Sequence, residues 1–249
     1  MTHTTHSPSR TAAAARLALK NLARPVGSFD ASRYFRGTVD LRFLNVGTVA
    51  VRALARSIHA EHAAVWTIDD AVLFADTLIV DQYLEVKGVG IELLARYRRD
   101  FTPRLLTTWK RWLASGHAAN WATTDAICGS LIGPVLVAHP GLAPTMREWA
   151  RHRSLWVRRA SAVSLIPSLR KGAALDLAYH IASALSDDQE DLIQKAVGWT
   201  LREAGKADPA RLDRYLRQHG PAIPRTTVRY AIERFPRMKR LELLRATRT

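Results

Sequence analysis

Trp121 and Asp125 are the residues whose types and spacing most directly suggest chemistry. They lie in the stretch Asn120-Trp121-Ala122-Thr123-Thr124-Asp125-Ala126-Ile127-Cys128-Gly129. A helix there sets the indole and the carboxylate one turn apart on a single face. The surroundings are strongly cationic: 37 Lys and Arg against 22 Asp and Glu give a formal charge of +15 over 249 residues. A carboxylate on an aromatic face in so basic a chain has two physical explanations. It is half of a structural ion pair with an Arg on a neighbouring helix, or it is an acid kept to meet a positive charge that arrives with a ligand.

Other chemistries find little support. His59 and His62 stand one turn apart, but the residues between them do not make a metalloprotease motif and no third ligand is evident, so no metal is expected. Ser154, Ser161 and Ser164 lack a Gly-x-Ser-x-Gly setting, and Cys128 has no neighbouring His, which leaves nucleophilic catalysis without a basis. No glycine-rich phosphate loop is present, and no cofactor is expected. Gly88-Val89-Gly90 has the look of a hairpin that grips a DNA phosphate. Lys87 stands where such hairpins carry Pro, and the helical rhythm continues through it. The two glycines are better read as close approaches between helices.

Positioning falls to helices. Residues 1–10 are expected to be a disordered tail, rich in Thr, His, Ser and Pro. Ala12 to Arg24 is a strong helix former that Pro25 stops. A short helix over 29–36 carries Phe29, Tyr34 and Phe35. Thr48 opens a helix to about Ala63, Thr67 opens the next, a further one spans Val86 to Arg99, and Thr102-Pro103 begins one that ends near Ser115. Further helices are expected at 122–137, 143–152, 154–168, 173–185, 187–205, 209–219 and 225–234, followed by a basic C-terminal tail at 237–249. No stretch alternates as a strand does, so the fold class is all-α, with roughly a dozen short amphipathic helices.

The helices bearing Trp121, Trp156 and Trp199 recur 35 and 43 residues apart. Paired helices at a period near 40–47 residues mark an α-solenoid of HEAT-like repeats, here one domain over 11–236. Alternate helices of such an array line a concave face, and Trp156 with Arg159 and Trp199 with Arg202 would make that groove basic and aromatic. The charge favours a polyanionic partner, nucleic acid first and an anionic membrane surface second. The single cysteine removes any disulfide framework. The polar start is unlike a signal peptide, and no run reaches the ~18–20 uninterrupted apolar residues of a membrane span. A soluble cytoplasmic monomer is expected.

The local sequences sharpen this reading. Asn-Trp-Ala-Thr-Thr-Asp, with Leu131-Ile132-Gly133 and His139-Pro140, resembles the Trp-x-x-x-Asp segment of the AlkD family of DNA alkylation-repair glycosylases. Leu155-Trp156-Val157-Arg158-Arg159-Ala160 is similar to that family's helix with a DNA-facing Arg. Ile193-Gln194-Lys195-Ala196-Val197-Gly198-Trp199-Thr200-Leu201-Arg202-Glu203 resembles its most recognisable stretch. The resemblance runs from about residue 30 to 235 and is most specific in the second half.

It implies that Trp121 and Trp199 flank the lesion deoxyribose and that Asp125 is the catalytic carboxylate. Arg159 and Arg202, with Arg158, Arg170, Lys171 and Tyr34, would contact duplex DNA. Gly47 falls where some members have Gln, and Pro167 where others carry a Lys that reaches DNA, so the lesion range is left open. The implied activity is hydrolysis of the N-glycosidic bond of cationic N3- or N7-alkylated purines in duplex DNA, without base flipping and with tolerance of bulky adducts. No membrane is involved, and the protein would associate with the nucleoid through DNA. The alternative is a non-catalytic helical-repeat module that binds DNA structure or a protein through the same face.

Overall fold

The computed structural model describes residues 7–27, 30–35 and 40–248. Among them the regular structure is helical, with one isolated parallel bridge between Arg42 and Tyr83. The residues pack as two compact units that divide between Leu131 and Ile132.

The first unit contains α1 (Pro8–Asn21), α2 (Gly47–His62), α3 (Ile68–Ile79), α4 (Leu84–Leu94), α5 (Leu105–Ala114) and α6 (Trp121–Ile127), with a 3-10 turn at Ala31–Tyr34. Residues 1–6 of the expected tail lie outside the described residues. Pro8 to Arg10 do not belong to a tail: they form the first turn of α1, where a proline has no hydrogen bond to lose. Thr67 caps α3 as the sequence predicts, in a reciprocal capping box with Asp70. The short helix expected at 29–36 is the 3-10 turn, with Phe29 and Arg36 outside the described residues.

In this unit α4 packs against α2, α3 and α6, and α1 lies against α3. Gly90 permits the contact with α3: a Cβ there would lie 3.3 Å from the Ala75 Cα. Gly88 faces Val51 of α2 in the same way, at 3.2 Å. Lys87, just before them, is buried, and its Nζ donates to the carbonyls of Ile79 (2.6 Å) and His117 (2.8 Å). Burial pushes this ammonium down to about 8, against the opposing pull of Asp81. The glycine pair is therefore a packing device, and the lysine before it ties the end of α3 to the loop that precedes α6.

The second unit contains α7 (Gly133–Ala138), α8 (Met146–Trp149), α9 (Leu155–Val163), α10 (Ile166–Leu169), α11 (Leu175–Ala184), α12 (Asp191–Ala207), α13 (Pro209–His219), α14 (Arg225–Ala231) and α15 (Arg237–Ala246). Helix α12 is its centre and packs on α9, α10, α11, α13 and α14. The segment from Arg237, expected as a basic tail, is instead a helix against α13. Leu243 is fully buried, and Arg225 donates to the Leu244 carbonyl and the Thr247 hydroxyl, which satisfies the end of α15.

The helix expected at 122–137 is present as a helical run over Trp121–Ala138, with a change of winding inside it. A π-helical turn at Cys128–Ile132 separates α6 from α7, so the side chains after it advance around the axis. The stretch Trp121–Ala138 is long and apolar enough on average to cross a membrane, although Thr123, Thr124, Asp125 and Ser130 interrupt its apolar run. Half of it is buried inside the protein, including Ile127, Cys128, Leu131, Ile132, Val135 and Leu136, as a core segment of a helical fold requires.

Helix α14 approaches α12 closely at Gly198. A Cβ on Gly198 would sit 2.7 Å from the Thr227 carbonyl and would overlap Tyr230. Because one obstacle is backbone, the helices themselves would have to part. Gly198→Ala should therefore cost on the order of 1–3 kcal/mol in urea denaturation. An unchanged midpoint would show that α12 and α14 do not meet at this residue.

Candidate nucleic-acid interface

The start of α6 is fixed by Asn120, whose Oδ1 accepts from the Thr123 N–H (2.8 Å) while its Nδ2 donates to Thr123 Oγ1 (2.9 Å). Thr124 is anchored separately, its hydroxyl donating to the Ala118 carbonyl (2.9 Å). Both threonines and Asn120 are buried, whereas Trp121 and Asp125 are half-buried on the other side of the turn. The helix is thus held by its polar inner face, and the indole and carboxylate occupy a face that is partly open.

The Trp121 ring is held in its own right. Its Nε1–H donates to the Tyr34 carbonyl (2.9 Å), and Phe35 stacks on it nearly parallel, with centroids 5.1 Å apart and planes 10° apart. The segment that brings Phe35 here is itself tethered, because the Glu85 carboxylate accepts the backbone N–H groups of Leu44 (3.0 Å) and Asn45 (2.8 Å). Beside the indole lies an open cavity of about 800 Å³, walled by Phe35, Phe43, Val51, Leu84 and Ile91. The Tyr34 side chain is exposed, so this residue serves Trp121 through its backbone. Neither Phe35 nor Glu85 was visible as a site residue in the sequence, since both act across long separations.

In the second unit the cations divide by burial. Arg159 is only 5% exposed and donates to the Leu192 carbonyl, joining α9 to the start of α12. Arg158 bonds Asp188 (2.7 Å) and the carbonyls of His152 and Arg153. Arg202 pairs with Glu233 and is mostly covered. These three position backbone and helices as much as they present charge. Arg170 and Lys171 are exposed, as a phosphate contact requires.

Trp199 is half-buried, and its Nε1–H points to Glu203 Oε1, 3.3 Å away and one turn later. The same carboxylate accepts from Lys206 Nζ (2.8 and 2.9 Å) and Arg170 Nε (3.2 Å). Burial pushes the Glu203 carboxyl up, but the hydrogen bonds and charges of Lys206 and Arg170 outweigh it and hold the group below its ordinary 4.5. The Trp199–Glu203 spacing repeats that of Trp121–Asp125, and this echo was the available sequence signal for a residue that the motif contains but the expected site leaves out.

Set beside known proteins, residues 15–235 match the sequence model of a family described as DNA alkylation repair enzyme. A solved structure from Enterococcus faecalis, described as a predicted DNA alkylation repair enzyme, is similar with a TM-score of 0.71 at 18% identity, over 92% of this chain and 96% of that one. At that identity the likeness is one of fold. A search of curated proteins gave no match.

Two outcomes follow from this geometry. Asn120→Ala should destabilise the fold by about 0.5–2 kcal/mol through loss of the cap, read by thermal or urea unfolding, and wild-type stability would mean that the cap is dispensable. A carboxyl lowered in the folded chain stabilises it above the unfolded-state value, and the contribution disappears as pH falls through the folded value. The stability gap between the parent and Glu203→Gln should thus be constant above the ordinary carboxyl value of 4.5 and shrink below it. A gap that widens in acid would contradict the assigned ionic state.

Proposed function

This chain belongs to the DNA alkylation repair enzyme family, and we propose that within it the protein is a monofunctional glycosylase for cationic alkylpurines in duplex DNA. The observation that carries this reading is Asp125, half-buried one turn beyond Trp121 on a helix whose start is locked by Asn120. An acid there lies on the partly open face of α6, where a ligand's positive charge would meet it.

The chemistry suits a carboxylate on that face. Alkylation at N3 or N7 gives a purine a formal positive charge, so it departs as a neutral base without a general acid. The sugar left behind has oxocarbenium character, and Asp125 stabilises it electrostatically and orients or deprotonates the attacking water. The indole face of Trp121 favours both cationic states, worth roughly 0.5–2 kcal/mol per contact. With Nε1 bound to Tyr34 and one face on Phe35, the ring is oriented before substrate arrives, which saves ordering cost in the complex. Trp199 and the exposed cations near it bind the same duplex. The reaction proceeds on the exposed deoxyribose, without extrusion of the base, and leaves an abasic site. The apolar cavity beside Trp121 favours acceptance of bulky as well as small adducts.

A non-catalytic helical-repeat binder is the other class. It has no use for an acid placed toward phosphates, and the family to which the chain belongs is one of repair enzymes. Duplex DNA carrying 7-methylguanine should lose the free base on incubation with the protein, and Asp125→Asn should reduce release at least 10-fold, about 1.4 kcal/mol in barrier height, while duplex binding stays equal or tightens. Release by the Asn variant at the parent rate would remove Asp125 from the mechanism, and no release by the parent from any alkylated duplex would leave only the binder.

A further inference from the structure

We propose that Arg170 and Lys206, gathered by Glu203, form a clamp for one DNA backbone phosphate beside Trp199. The inference rests on the reading that the chain acts on duplex DNA. It adds Lys206 as a binding residue and Glu203 as a positioning residue.

Glu203 is almost out of water, its side chain 2% exposed. A carboxylate offers about four acceptor sites, and here they meet two Lys206 N–H bonds, the Arg170 Nε–H and the Trp199 Nε1–H. The acid is therefore saturated and has nothing to offer a ligand. The cations are not. Arg170 spends only Nε on Glu203, which leaves both terminal amino groups of its guanidinium for the planar two-point contact that phosphate oxygens accept. Lys206 has three N–H donors and spends two.

Burial separates this from a purely structural bridge. The Arg170 and Lys206 side chains remain 58% and 47% exposed although the acid between them is sealed. One cation would neutralise one carboxylate, so the second leaves the cluster with a net positive charge at the surface. Both cations help to keep the buried acid ionised, yet their own heads face solvent, so the surplus charge is presented outward. Anchoring at Glu203 also fixes both long side chains in advance, lowering the ordering cost of gripping an anion. The indole of Trp199 hangs from the same carboxylate, so a phosphate held by the pair lies next to the ring expected to face the duplex. Lys171, exposed and next in sequence to Arg170, extends the positive surface.

The test is the salt dependence of binding to undamaged duplex, followed by fluorescence anisotropy for the parent, Lys206→Met, Arg170→Met and the double variant. Each phosphate neutralised contributes about 0.9 to the slope of log affinity against log salt. Because both cations hold one phosphate, the double variant should lose about 0.9 of slope in all, so that raising salt from about 0.05 to 0.2 M weakens it roughly 3-fold less than the parent. A slope equal to the parent's would make the cluster structural only, and a loss near 1.8, double the single-phosphate value, would mean two separate phosphates. Either result overturns the clamp, as does a parent that binds no duplex. If the double variant fails to fold, the triple variant with Glu203→Gln, which leaves no buried charge without a partner, carries the same comparison. Duplex binding with the expected slopes but no base release overturns the glycosylase and leaves the clamp. Base release by the parent with unchanged slopes overturns the clamp alone.

Discussion

A carboxylate withdrawn from water has to be surrounded by donors to stay ionised, and in the second unit that requirement organises everything near Trp199. Glu203 reaches Arg170 at the end of α10, Lys206 one turn along α12 and the indole of Trp199 one turn back. Burial works against the charge, and the two cations overcome it. The acid is thus a local organiser: it determines where two cations stand and how an aromatic ring is turned. On the same helix, Gly198 lets α14 come close to α12.

The first unit reaches a similar end by different means. Trp121 is held without an ion pair at its indole nitrogen. Its indole is held by a backbone carbonyl and a stacked phenyl ring, both delivered by a segment whose backbone Glu85 secures. Glutamates therefore serve as tethers in both units, one for main-chain N–H groups and one for cations and an indole. Asp125 is half-buried on α6, as Glu85 is on α4, whereas Glu203 is buried.

The arginines show how composition and function part. A charge of +15 points to a polyanion, yet Arg158, Arg159 and Arg202 spend their guanidinium groups on Asp188, backbone carbonyls and Glu233. A guanidinium with five donors is well suited to such bracing. The positive charge available at the surface near Trp199 belongs instead to Arg170, Lys171 and Lys206, and the last of these stands outside the residues that local spacing singles out.

Periodicity and capping were enough to determine an all-helical chain, the start of α3 at Thr67, the packing role of Gly88 and Gly90, and the pairing of Trp121 with Asp125 on one helical face. Each depends on neighbours within a few residues, where the helix repeat dictates geometry. Only the tertiary structure decided the π turn after α6, the final helix at Arg237–Ala246, the stacking of Phe35 on Trp121 and the gathering of Arg170 with Lys206. Position 35 meets position 121, and Arg225 closes a helix that ends at Ala246. Contacts of that kind arise when helices pack and buried polar groups must find partners, and neither spacing nor composition encodes which partner they find.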